Sequence, residues 1–170
     1  MNSRKKGRDA RKEIQGETRK KYTEAINANI EKLLKNKQTV MVYNAIDGEV
    51  EIKIKNKTLI YPRVEGENIV PVKPESFEKG AYGIIEPAGE VFKGKIDAVI
   101  VPMCAYSDSL YRAGFGKGYY DRFLKNTDAV KIGAAFSCQK GEICVKDTDV
   151  RMNYIVTEKG ILGEEKNENA

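Results

Sequence analysis

Hydrophobic and polar positions divide the chain into a helical first quarter and a strand-rich remainder. Tyr22, Ile26, Ile30, Leu33 and Leu34 recur at helical spacing, which predicts one long helix over residues 9–36 with an apolar stripe turned to a core. Gly16 is a weak point within it and a candidate break. Residues 39–43 form a continuous apolar run and read as a buried strand. Residues 96–102 do the same, with Ala98-Val99-Ile100-Val101 buried on both faces and Pro102 closing the ladder. Residues 50–55 alternate cleanly between apolar and charged, predicting a strand with one wet face. Asn56-Lys57 supplies a turn into a further strand at 58–61, so this region reads as a hairpin. A short edge strand is predicted at 69–72 between prolines, and further strands at 130–136 and 154–157. Strands mixed with a few helices imply an α/β fold with a mixed central sheet. Residues 1–163 read as one domain, and the polar tail 164–170 as disordered.

The densest chemistry lies in residues 112–123, between the buried strand at 96–102 and a helix starting near Tyr119. Gly114, Gly116 and Gly118 stand at every second position and leave bare backbone for a ligand to approach. Arg112 and Lys117 add two cations, Phe115, Tyr119 and Tyr120 flat surfaces, and Asp121 a carboxylate. The order of strand, glycine-rich turn and helix start suits an anion held by backbone N–H groups. Two phosphate loops are excluded by spacing: a Walker A loop needs Ser or Thr after Gly-Lys, where Gly118 stands, and the dinucleotide fingerprint needs a small residue where Tyr119 stands.

Composition narrows the chemistry. The 170 residues contain no histidine, which excludes Ser-His-Asp and Cys-His engines and histidine zinc sites. Catalysis is left to carboxylates, lysine, arginine, tyrosine and metal. Cys104, Cys138 and Cys144 are odd in number and lack Cys-x-x-Cys spacing. No signal peptide and no apolar run of about 18 residues is evident, so a cytoplasmic protein with reduced thiols and no membrane partner is expected. The net charge of +5 is uneven. Residues 1–40 carry 12 Lys and Arg against 5 Asp and Glu, and the rest of the chain 18 against 20. This basic excess reads as a solvated helix face. Its functional alternatives are attraction of an anionic ligand or, less well supported without interleaved aromatics, of nucleic acid.

The stretch from Arg112 to Arg122 resembles the signature of the 5-formyltetrahydrofolate cyclo-ligases, also called 5,10-methenyltetrahydrofolate synthetases: Arg-Leu-Gly-(Tyr/Phe)-Gly-x-Gly-Tyr-Tyr-Asp-Arg after a strand ending in Val-Pro, with Ala113 in the leucine position. Tyr61-Pro62-Arg63-Val64, Tyr82-Gly83-Ile84-Ile85-Glu86-Pro87 and Lys131-Ile132-Gly133-Ala134-Ala135-Phe136 resemble other family segments in the same order. The resemblance implies a three-layer Rossmann-like fold and ATP- and Mg²⁺-dependent closure of 5-formyltetrahydrofolate to 5,10-methenyltetrahydrofolate, with ADP and phosphate released. It implies Arg112 and Lys117 as catalytic cations. Arg4, Arg112, Gly114, Phe115, Gly116, Lys117, Gly118, Tyr119 and Tyr120 would surround the nucleotide. Asn44, Glu49, Tyr82 and Tyr119 would contact the folate, and Asp121 and Asp149 would hold the metal. Small-molecule substrates and a monomer or weak dimer are expected.

Two departures stand out. The family places a helix in the crossover between Glu49 and Pro62, where this chain has the apparent hairpin. The family also begins with Lys, three residues, then Arg. Counted back from the helix, Arg4 takes the arginine position and leaves no lysine. They motivate an alternative, a diverged paralogue that binds a nucleotide or pterin without closing the ring.

Overall fold

The computed structural model describes residues 2–80 and 83–163. Tyr82 and the tail 164–170 lie outside the described residues. The predicted long helix is two: α1 (Ser3–Glu13) and α2 (Gly16–Leu33). Asn2 caps α1 by accepting a hydrogen bond from the Lys5 N–H at 2.9 Å. Ile14 and Gln15 are extended and Gly16 has φ +61°, so the helix breaks where the glycine stands. Arg19 of α2 donates back to the carbonyls of Arg11 (2.9 Å) and Ile14 (3.0 Å), satisfying acceptors that the break exposes.

Seven strands form the main sheet: β1 (Thr39–Met41), β2 (Thr58–Glu65), β3 (Asn68–Val72), β6 (Ala98–Pro102), β9 (Val130–Ala134), β10 (Tyr154–Thr157) and β11 (Gly160–Gly163). Their order is β11-β10-β9-β6-β1-β2-β3. The five inner strands are parallel, while β3 and β11 lie antiparallel at the edges. The sheet is thus mixed, as its sequence pattern implies. The fully apolar β6 lies at its centre with Ala98 to Val101 buried. Ile26, Ile30 and Leu34 of α2 pack on one face. The other face is covered by α3 (Tyr119–Leu124), through Leu124, and by Leu110 and Met152. This gives the helix–sheet–helix layering. Two short hairpins lie outside the sheet: β4 (Ser76–Lys79) with β5 (Ile85–Ala88), and β7 (Ala105–Tyr106) with β8 (Arg112–Ala113).

The hairpin expected at 50–61 does not form. Residues 50–55 keep the alternating burial but join no strand, and β2 runs parallel to β1, with Thr39 opposite Thr58. The backbone of this segment is taken up by a side chain: Asn27 of α2 accepts from the Lys53 N–H (2.7 Å) and donates to the Glu51 carbonyl (2.8 Å). Ile52 and Ile54 pack onto the core beside Leu59 and Tyr61. The crossover between two parallel strands is therefore an extended strap along α2, in place of either helix or hairpin.

Candidate active site

The chain leaves β1 toward β2 on one side, and later strands fill the other side through β6. Strand order reverses between β1 and β6, and in open α/β sheets ligands bind beyond the carboxyl ends of the strands at that point. Both candidate regions emerge there. Asn44 and Glu49 lie on the loop after β1, and Arg112 to Asp121 follow β6 through the β7–β8 hairpin. Arg112 reaches back so that its Nη1 donates to the carbonyl of Pro102, the last residue of β6, at 3.2 Å.

Each glycine of the loop has its own reason. A Cβ on Gly114 would lie 2.6 Å from Arg112 Nη1, so only glycine lets that guanidinium pass. Gly116 and Gly118 have φ of +98° and +71°, in the left-handed region that other residues avoid. The N–H groups of Gly114, Phe115, Gly116 and Gly118 donate no hydrogen bond to a described residue. Backbone donors grouped on one loop in this way suit an anion. Arg4 of α1 covers this loop: its Nε donates to the Gly114 carbonyl, and its guanidinium lies 3.7–3.8 Å from where a Gly116 Cβ would be. Arg8, one turn further on, stacks 5.2 Å from the centre of the Phe115 ring. Lys117 is exposed at the loop's tip.

Arg112 is the electrostatic centre. Its Nε is buried with no hydrogen-bond partner among the described residues, an orphan donor of a kind that folded proteins seldom leave. Burial pushes its pKa down, while the Asp121, Tyr120 and Asp149 side chains nearby favour its charge. Its guanidinium lies 5.4 Å from the centre of the Tyr120 ring. Asp121 Oδ1 accepts from the Val150 N–H at 3.2 Å, which anchors that carboxylate beside the residue following Asp149. The Asp149 Oδ2 accepts from the Lys146 N–H at 2.8 Å. Tyr119 packs under Arg122, whose guanidinium lies 5.5 Å from the ring centre and donates to the Glu67 carbonyl.

Glu49 faces this cluster from the other side of the switch point. It is 6% exposed, and burial raises its pKa from 4.5 to about 7 against the opposing influence of the Ile46 N–H, Arg11 and Arg112. Its charge in turn helps push up the phenols of Tyr43 and Tyr120, which are raised first by burial. Asn44 is half-buried just past β1. The structure therefore gathers Glu49, Arg112, Tyr120, Asp121 and Asp149 within electrostatic reach of one another, with Arg4 and the glycine loop adjoining.

The basic first helix is not simply a solvated face. Arg11 is wholly buried, and Arg8, Arg11 and Lys12 all converge on Asp47, at 2.8, 3.3 and 2.7 Å. The reason is packing: α1 lies over β7 and the helical turn Ser137–Gln139 beyond the ends of the strands, so one face of the helix is inside. Sequence reading missed Arg8, Arg11 and Asp47. The i, i+4 spacing of Arg4 and Arg8 was a usable signal, because it puts both on one face once the helix starts at Ser3. Two cations one turn apart thus lie beside the loop, Arg4 against Gly114 and Arg8 against Phe115. Nothing in the sequence marked Asp47 as their target.

Loop amides that donate to no described residue, a buried Nε without a described partner and two nearby carboxylates lie together at the open end of a parallel sheet in an α/β enzyme fold. The family model of the 5-formyltetrahydrofolate cyclo-ligases matches residues 2–158, and the chain belongs to that family. The 5-formyltetrahydrofolate cyclo-ligase of Mycoplasma pneumoniae is 30% identical over 133 residues, covering 72% of this chain and 74% of the relative. Among solved structures, the 5,10-methenyltetrahydrofolate synthetase of Aquifex aeolicus superposes with a TM-score of 0.82 at 34% identity, over 99% of this chain and 97% of that one. The synthetase of Mycoplasma pneumoniae superposes with a TM-score of 0.78 at 25% identity, over 92% and 96%.

Proposed function

We propose that this chain closes 5-formyltetrahydrofolate to 5,10-methenyltetrahydrofolate with ATP, releasing ADP and phosphate. The observation that carries the reading is Arg112, a half-buried cation whose buried Nε has no partner among the described residues, beside four loop amides that donate to none of them. An anion there would satisfy groups that the fold leaves unsatisfied. A phosphoryl group fits best, because its transfer asks the protein for position and charge neutralisation more than for covalent chemistry.

The reaction needs the formyl oxygen brought in line with the γ-phosphorus. The oxygen takes the phosphoryl group and ADP leaves. N10 then attacks the activated carbon and loses its proton, and the carbon–oxygen bond breaks with loss of phosphate. Arg4, Arg112 and the amides of Gly114, Phe115, Gly116 and Gly118 would bind the triphosphate, with Lys117 beside them. Tyr119 and Tyr120 would line the site where nucleotide and folate meet. Glu49 and Asn44 would orient the folate, and a carboxyl with a pKa of about 7 can hold or accept a proton near neutral pH. Asp121 and Asp149 would hold Mg²⁺, which needs few protein carboxylates because it shares substrate phosphates and retains waters. When bound, such an ion neutralises phosphate charge. Among the described residues no helix is long and apolar enough to cross a membrane.

The test is direct. Purified protein with 5-formyltetrahydrofolate and Mg-ATP should show rising methenyl absorbance with one ADP released per ring closed. ADP release without methenyl formation would refute the assignment.

A further inference from the structure

The loop carrying Glu49 is a tight turn that has to be docked in the right place. Asp47 and Gly48 both have positive φ, +50° and +80°, and the Glu49 N–H donates to the Ile46 carbonyl at 3.0 Å, a turn that Asp-Gly suits. The crossover that follows contains no helix, and the segment is held by side chains: Arg19 donates to the Gly48 carbonyl at 2.7 Å, Tyr43 to the Val50 carbonyl at 2.8 Å, and Asn27 further along. Arg8 and Lys12 bind the Asp47 carboxylate from the surface, and the buried link between the turn and the strand ends is Arg11. Its Nε donates to the Asp47 carbonyl at 2.9 Å and its Nη2 to the Asp47 carboxylate at 3.3 Å, while its Nη1 donates to the Met103 carbonyl at 3.0 Å. One guanidinium thus joins the loop after β1 to the residue just past β6, spanning the switch point itself. Its side chain also fills the space beside Gly48, where a Cβ would lie 3.4 Å from Arg11 Cγ. Glu49 follows at once, with its carboxylate turned back to the Ile46 N–H at 3.0 Å.

We propose that Arg11, acting through Asp47, is a positioning residue for the folate side of the site: it docks the Asp47–Gly48 turn beside Met103 so that Glu49 faces the substrate. The proposal rests on the cyclo-ligase reading. Arg11 belongs to the machinery of folate binding; it approaches the nucleotide side at 6.0 Å from the Phe115 ring centre, where Arg8 lies closer at 5.2 Å. A buried arginine that only filled the core would influence both substrates equally or neither.

The experiment measures KM for each substrate and kcat in wild type, Arg11→Met, Arg11→Lys and Asp47→Asn, with direct titration of 5-formyltetrahydrofolate alongside. Asp47→Asn removes the contacts of three cations yet keeps the Arg11–carbonyl bond at a part-exposed position, so it guards against an Arg11 variant that fails to fold. Arg11→Met is expected to raise KM and Kd for 5-formyltetrahydrofolate about tenfold, equal to about 1.4 kcal/mol of binding. KM for ATP should stay within about twofold, Asp47→Asn should show a smaller shift in the same direction, and Arg11→Lys should recover part of the loss. Unchanged folate KM and Kd in both Arg11→Met and Asp47→Asn would overturn the proposal, as would equal rises for ATP and folate. A wild type that binds 5-formyltetrahydrofolate without turning it over overturns the activity, and the titration still decides the role of Arg11. A wild type that binds no folate overturns both.

Discussion

Glu49 makes stability depend on pH in a direction opposite to that of most carboxylates. Burial raises its pKa from 4.5 to about 7 in the folded chain, whereas the unfolded chain leaves it near its ordinary value. Below the unfolded value both states bind the proton. Between about 4.5 and 7 the unfolded state has released it and the folded state has not, so stability falls as pH rises through this window. Above about 7 both are ionised and the loss is complete. At about 1.4 kcal/mol for each tenfold change in proton affinity, the loss amounts to about 3 kcal/mol. Asp9, Asp47 and Asp97 act the other way. The Lys5 hydrogen bond lowers Asp9, the Lys12 and Arg8 hydrogen bonds lower Asp47 against its burial, and the Thr39 and Gln38 N–H groups lower Asp97, so their contributions are lost in acid. They cancel when wild type is compared with Glu49→Gln. Urea denaturation of both proteins from pH 4 to 8 is the assay. The stability of wild type relative to Glu49→Gln should drop by about 3 kcal/mol across pH 4.5 to 7, and then level off. A flat difference, or one that rises with pH, would refute the burial argument for Glu49.

Other outcomes follow from the same geometry. Arg112→Met should hold stability near wild type, because the lost bond to the Pro102 carbonyl is offset by removal of a buried Nε without a described partner, while ATP-dependent turnover falls by about 100-fold or more; urea titration and methenyl absorbance check the two halves. Asp121→Asn keeps an acceptor for the Val150 N–H, so its melting temperature should stay near wild type while the concentration of Mg²⁺ needed for half-maximal rate rises. Gly7→Ala would place a methyl carbon 2.0 Å from the Cys104 carbonyl oxygen; about 1–3 kcal/mol of stability should be lost, with weaker ATP binding as α1 lifts from the loop, both read by calorimetry.

The core and the glycine-rich loop after β6 were legible in the sequence for a physical reason: both are local. A fully apolar β6 can only be an inner strand, and alternating glycines amid Arg, Lys, Tyr and Asp mark a backbone that a ligand approaches. What was hidden depends on contacts remote in sequence. The alternation at 50–55 is real and gives one wet face, but its hydrogen-bonding partner is Asn27, so the pattern names the face and not the pairing. Arg11 reads as one more lysine- or arginine-type surface residue until Met103 and Asp47, 92 and 36 positions away, come around it. The β4–β5 hairpin escaped notice because its strand β4 is exposed throughout and carries no apolar period.

The central claim is that the unsatisfied donors around Arg112 and the buried carboxyl of Glu49 serve a single reaction at the β1–β6 switch point. It is tested most directly by following methenyl absorbance after mixing the protein with 5-formyltetrahydrofolate and Mg-ATP, in wild type and in Arg112→Met and Glu49→Gln. The account requires a rising trace in wild type and a near-flat one in the other two, with all three proteins folded. A flat trace from folded wild type that still binds ATP would contradict it.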